Sequence, residues 1–240
     1  DSLVRESNTC LNRLFRPRGP VPMPTAKPRT PTDSTRERIL DAAGTVFAER
    51  GFRDATVREI CSRARVNIAA VNYHFRSKGS LHEAAMLEAH RYSSARYPVT
   101  DGLPASPTPS DRLTAFVRAF VLKVMDRKRP SWHGRLMARE MIDPSPALSI
   151  LVEREIRPNF EYLISILKDL APTLSPAQQR MAAASVVGQC LHYFWCKEVV
   201  ARLGEGFPAA GDSVETLTRH IVALTLGGLK KVAATGSTPA

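Results

Sequence analysis

The run TVREICSRARVNIAAVNYHFRSKGSL, from Thr56 to Leu81, leaves little choice of local structure. Thr56 stands three residues before Glu59, the spacing at which a hydroxyl and a carboxylate close a helix start as a capping box. Val57, Ile60, Cys61 and Ala64 then fall on one apolar face. Arg65 and Val66 form a tight turn. Asn67 caps a second short helix, on which Val71 and Phe75, four apart, share the buried side.

The other side of that second helix carries Asn67, Ile68, Ala69, Asn72 and Tyr73. Small residues let a helix lie deep in a major groove, an Asn can pair with adenine through two hydrogen bonds, and alkyl groups can touch thymine methyls. Arg58, Arg63, Arg65, Arg76 and Lys78 surround this face, and Glu59 is the only acid between Arg58 and Lys78. The rim therefore suits phosphate neutralisation. Such a pattern is expected of a helix-turn-helix whose second helix reads double-stranded DNA. A plainer reading, a helical hairpin with a solvated basic rim, fits the same physical features.

On either side the hydrophobic spacing extends the helical pattern. A first helix is predicted from Thr35 to Arg50, with Ile39, Ala43, Val46 and Phe47 inward and Gly51 as its stop. A fourth runs from Ser77 to about Tyr97 and links the reading head to the C-terminal part of the chain. These residues carry a resemblance. Thr56-Val57-Arg58-Glu59-Ile60, Tyr73-His74-Phe75, Ser77-Lys78 and Leu81, with Ile39-Leu40-Asp41-Ala42-Ala43, Phe47 and Arg50-Gly51-Phe52 upstream, resemble the DNA-binding signature of TetR-type transcriptional regulators. The resemblance covers about Thr35 to Leu87. It implies an all-α homodimer with an N-terminal three-helix DNA-binding domain and a larger C-terminal ligand-binding and dimerisation domain. The function implied is a repressor that binds a palindromic operator and is released by a small-molecule effector. Carried over by position, Thr56, Arg58, Tyr73, His74 and Lys78 would meet DNA beside the groove-facing Asn67, Ile68, Ala69 and Asn72. His74 can equally be a packing or capping residue. Asn72 departs from the aromatic residue that many such regulators carry there, and Gly79 from a common acidic one, so base preference and the start of the fourth helix are open.

Charge supports a polyanionic partner without proving one. The 240 residues carry a formal charge of +11, which favours nucleic acid before membrane. Over residues 34–80 there are nine Lys and Arg against five Asp and Glu, a net of +4, so the excess is shared with the rest of the chain. Residues 1–33 are basic and Pro-studded, and read as a flexible segment without the apolar core of a secretion signal. Two readings of it stand: an arm along DNA, or an inert extension. Cys10, Cys61, Cys190 and Cys196 include no C-x-x-C pair, which suits a reduced, cytoplasmic protein and suggests neither disulfide nor metal. On a helix, Cys190, His192 and Cys196 would point to different faces. No cofactor is expected.

The remaining divisions are a reading head over 34–80, a connecting helix over 81–97, a Pro-rich loop over 98–110, a C-terminal domain over 111–235 and a tail over 236–240. In the C-terminal part a helix restarts at Ser110-Asp111, a short one covers Ser131 to Ile142, and Pro146 to Leu170 is one longer helix kinked or broken at Pro158. Ser175-Pro176 opens a helix to about Leu203, and a last one begins near Asp212-Ser213. Val187, Leu191, Phe194 and Trp195 on the former, with Val214, Leu217, Ile221, Leu224 and Gly228 on the latter, are expected to form a four-helix dimer interface. Alternatively both stripes face the monomer's own core. The segments Trp132 to Glu140, Asp143 to Pro146 and Glu155 to Pro158 resemble the C-terminal domain of the CecR subgroup. Phe116, Phe120, Trp132, Arg135, Met137, Phe160 and Tyr162 are candidates to line an effector pocket, or else simply pack as a salt-bridged core.

An enzyme is the competing class. The chain lacks a G-x-S-x-G elbow, a Walker phosphate loop and a dinucleotide-binding G-x-G-x-x-G, so no catalytic residues are assigned. A helical adaptor without DNA binding would have no need of the basic residues around Tyr73.

Overall fold

The computed structural model describes residues 31–126, 130–200, 202–203 and 213–235. The basic segment over 1–30, and the tail over 236–240, lie outside them. Helix α1 spans Pro31–Asp54 with a break at Gly51, whose φ of 81° turns the chain. It is followed by α2 (Val57–Ala64), α3 (Ile68–Phe75), α4 (Lys78–Arg96), α5 (Pro109–Met125) and α6 (Ser131–Ile142). Then come α7 (Ala147–Leu151), a π-helical turn (Val152–Ile156), α8 (Arg157–Leu170), α9 (Pro176–Trp195), α10 (Lys197–Val200) and α11 (Ser213–Thr235). No strand occurs among the described residues, as the hydrophobic spacing predicts for an all-α chain.

Helix starts follow local chemistry. Ser175 and Gln178 form a complete capping box ahead of α9, with Pro176 in the first turn. The box before α5 is made by Thr108 and Asp111, so the helix begins at Pro109 rather than at Ser110. Pro158 does not break the long C-terminal helix. It lies in the first turn of α8, directly after the π-turn. A proline has no N–H for the helical ladder and its ring crowds the preceding turn, and the widened turn absorbs that mismatch.

The chain divides into two compact units that do not follow its linear order. One contains α1 to α4 up to Ala95 and then residues 127–158, which carry α6, α7 and the π-turn. Ile39, Val46, Phe47, Ile60, Leu81 and Met86 are its fully buried centre, and Trp132, Leu136 and Leu151 close the same core. The other contains residues 96–126 and the described residues from 159 to 235. Its core joins Leu113, Phe116 and Val117 of α5 to Leu163 and Leu167 of α8, Val186 and Cys190 of α9, and Leu217 and Ile221 of α11.

Candidate nucleic-acid interface

Thr56 caps α2, its hydroxyl accepting the Glu59 N–H at 3.2 Å. The second half of the expected box is not made, because the Glu59 carboxylate pairs with Arg50 Nε at 3.6 Å. Helix α2 ends at Arg65 in the left-handed region (φ 54°, ψ 50°), and Asn67 then caps α3 by accepting the Ala70 N–H at 2.9 Å. Capped this way, α3 buries Val71 and Phe75 and turns Asn67, Ile68, Ala69, Asn72 and Tyr73 to the exterior. Tyr73 is 78% exposed and Ile68 49%, on a helix anchored by its other face. His74 is half-buried, with its ring edge-on to Tyr73 at 5.1 Å. Thr56 and Arg58 are exposed on the neighbouring helix start.

Lys78 makes its contacts within the protein. Its ammonium donates to the carbonyls of Arg53 and Ala55, both at 3.1 Å, and lies 4.8 Å from the centre of the Phe52 ring. Two of its three N–H groups thus close carbonyls left open where α1 ends. Arg139 of α6 does the same for the Arg50 carbonyl at 3.0 Å, lying against Gly51, where any Cβ would come within 2.5 Å of its Nε.

More of the reading head's support comes from α6 and the loop after it. The Trp132 indole donates to the Asp41 carboxylate at 2.7 Å and its ring lies flat on Gly44. Buried His82 and Glu140 form a polar cluster with Ser145: Glu140 accepts from both the Ser145 N–H and its hydroxyl at 2.7 Å, and His82 Nδ1 lies 3.2 Å from that hydroxyl. Burial, with the Lys78 charge adding to it, pulls the His82 imidazole down to about 4, so the ring is neutral near pH 7. None of these partners was visible in sequence. Trp132 and Asp41 are 91 positions apart and neither carries a local signal of the other.

The seven candidate pocket residues divide between the two units. Trp132, Arg135 and Met137 belong to the unit containing the reading head. Phe116, Phe120, Phe160 and Tyr162 cluster in the other unit, with Phe116 6.3 Å from Phe120 and 6.4 Å from Tyr162. The nine candidate interface residues also divide. Leu217 and Ile221 are buried in their own unit's core, and Val187, Leu191, Phe194 and Val214 are partly covered. Leu224, Gly228 and Trp195 remain exposed. Leu224, Gly228 and Val232 of α11, with Met181 and Ser185 of α9, line an apolar groove of about 260 Å³. Among the described residues, no helix is long and apolar enough to cross a membrane and no cluster suits a metal ion.

Comparison with known proteins agrees with this architecture. The family described as bacterial regulatory proteins, tetR family, matches residues 39–85. The C-terminal domain of the HTH-type transcriptional dual regulator CecR matches residues 109–229, half of the chain. The chain belongs to the TetR family of transcriptional regulators. Its larger domain is of the CecR type, and the family is one of regulators rather than enzymes. It is 40% identical over 55 residues to the probable HTH-type transcriptional regulator YttP of Bacillus subtilis, an alignment spanning 23% of this chain and 27% of that one. The chain therefore spans about a quarter of that TetR-type relative's length. A transcriptional regulator from Pseudomonas aeruginosa PAO1 shares the fold with a TM-score of 0.65 at 18% identity, covering 86% of this chain and 96% of the other. AibR, solved with isovaleryl coenzyme A and operator DNA, shares it at 0.55 and 18% identity, covering 79% and 97%.

Proposed function

We propose that this TetR-family protein is a cytoplasmic homodimeric repressor that reads a palindromic operator through α3 and releases it when a small molecule binds the CecR-type domain. The observation that carries the reading is the face of α3: Asn67, Ile68, Ala69, Asn72 and Tyr73 all exposed on a helix whose opposite side is locked into a core. Amide, alkyl and phenol groups on one accessible helix face match the donor, acceptor and methyl pattern of a major groove. Thr56, Arg58 and Tyr73 would fix the head on phosphates, with His74 supporting the Tyr73 ring, and Asn72 would select the base.

One such head spans a half-site. A two-fold dimer reads two of them one helical turn apart. The groove between α9 and α11, rimmed by Leu224 at 55% and Met181 at 62% exposure, is an apolar surface suited to a second copy. AibR, a relative in fold, supports the effector part of the reading, since it was solved with both an acyl-coenzyme A and operator DNA. An effector acts only through its difference in affinity between the DNA-competent and DNA-incompetent states.

The test is selection of bound sequences from a random duplex pool at a salt concentration that suppresses purely electrostatic binding. A near-palindromic site is expected, and Asn72→Ala should alter preference at one position of each half-site. A folded protein that enriches no sequence would sink the proposal.

A further inference from the structure

We infer that the cleft between α1 and the end of α2, at the edge of the basic rim, is a built phosphate-binding site that joins Arg65 of the rim to Arg38 of α1. The cleft has a volume of about 390 Å³ and is lined by Arg38, Asp41 and Thr45 of α1 and by Arg63 and Arg65. Three arginines line it, and of the two acids nearby Glu49 is committed to one of them. Glu49 holds Arg63 through two bonds, at 2.9 and 3.3 Å. Asp41 also lines the cleft and accepts the neutral Trp132 indole N–H at 2.7 Å, which leaves three cations against two acids. Arg38 and Arg65 are exposed and line the cavity, and the planar donor fork of a guanidinium matches phosphate oxygens.

The backbone of Arg65 points the same way. It sits at φ 54°, ψ 50°, where a side chain costs about 1 kcal/mol and glycine or asparagine is the ordinary choice. An arginine at this position weakens the turn that joins the two helices. A guanidinium at the mouth of a cationic cleft, two residues before the cap of α3, is a reason for it to stand there. The ligand chemistry is a phosphate group. It comes either from DNA backbone flanking the half-site or from a free phosphate compound. The DNA source rests on the function proposed above, and the free source does not.

Two variants test this in the full-length chain. Arg65→Gly removes the cation and relieves the backbone, so it should raise the unfolding midpoint while weakening anion binding. Arg38→Ala removes the second cation from an exposed helix position. Each protein is titrated on a long duplex and on one trimmed to the selected site, across 50 to 200 mM salt, and separately with pyrophosphate by calorimetry. Each lost phosphate contact should reduce the salt slope by about 0.9, which is about a threefold smaller loss of affinity over that salt range. If the phosphate belongs to flanking DNA, the difference appears on the long duplex and disappears on the trimmed one. If it is a free compound, the wild-type chain binds pyrophosphate and both variants lose it. Unchanged slopes on the long duplex together with no arginine-dependent pyrophosphate binding would overturn the inference. Failure of the wild-type chain to bind any operator would instead count against the proposed function, leaving the pyrophosphate arm to decide this site alone.

Discussion

Lys78 occupies a position at which a phosphate contact is expected, yet its ammonium faces the protein. Lys78→Met keeps the aliphatic stem over Phe52 and removes only the charged head. Two hydrogen bonds from a cation to carbonyl oxygens, each at 3.1 Å, would be lost. Bonds from charged groups contribute about 1.5–3 kcal/mol each when sheltered, and these are only partly so. The loss should total about 2 kcal/mol, with about 0.5 kcal/mol more from the cation over the Phe52 ring. With a urea dependence of about 3 kcal/mol per molar, the unfolding midpoint should fall by roughly 0.8 M. Operator affinity measured across salt should decline without a change of slope, since a positioning residue releases no counterions. A variant as stable as the wild type, but with a slope reduced by about one, would refute this role and restore Lys78 as a phosphate ligand.

Gly44→Ala would place a Cβ 2.4 Å from carbons of the Trp132 ring, which its bond to Asp41 holds in place. Despite the better helix propensity of alanine, the overpacking should cost about 1–3 kcal/mol, read as a lower melting temperature with altered tryptophan fluorescence. His82, held near 4 by burial, leaves the unfolded chain binding a proton that the folded chain refuses between about pH 6.5 and 4. Stability should therefore fall as pH drops through that window, by up to about 3 kcal/mol, and His82→Leu should flatten this part of the profile relative to wild type. Leu224→Glu on the exposed side of α11 should yield a monomer in sedimentation and a large loss of operator affinity while the fold persists.

The reading head was legible because its signals are local. Thr56, Asn67 and Gly51 each act within four residues, and the Val71–Phe75 spacing tells which side of α3 is free. The family match rests on the same residues. The C-terminal helices were legible as elements, but their faces were not. Val214, Leu217, Ile221 and Leu224 share a helical repeat, yet the first three turn partly or wholly into the monomer while Leu224 stays out. Periodicity finds an apolar stripe and does not say how many neighbours share it. The candidate pocket residues divide between the two units for a similar reason. Trp132 and Met137 are apolar because they complete the reading head's core, and nothing in their own segment distinguishes that partner from a ligand. Lys78 keeps the family's residue type at its place, and positional analogy does not reveal that two of its donors go to backbone carbonyls.

That Trp132, Leu136 and Leu151 complete a core begun by α1 to α4 also bears on how such proteins can be recombined. A cut in the Pro-rich loop after α4 looks natural for exchanging sensor domains between regulators. It would separate residues 31–95 from the tryptophan over Gly44, from the Arg139 cap and from the Glu140 partner of His82. The DNA-binding part of this chain is therefore not a cassette. A working hybrid would have to carry residues 127–158 along with the head, or replace them with a segment whose side chains fit the same surface of α1.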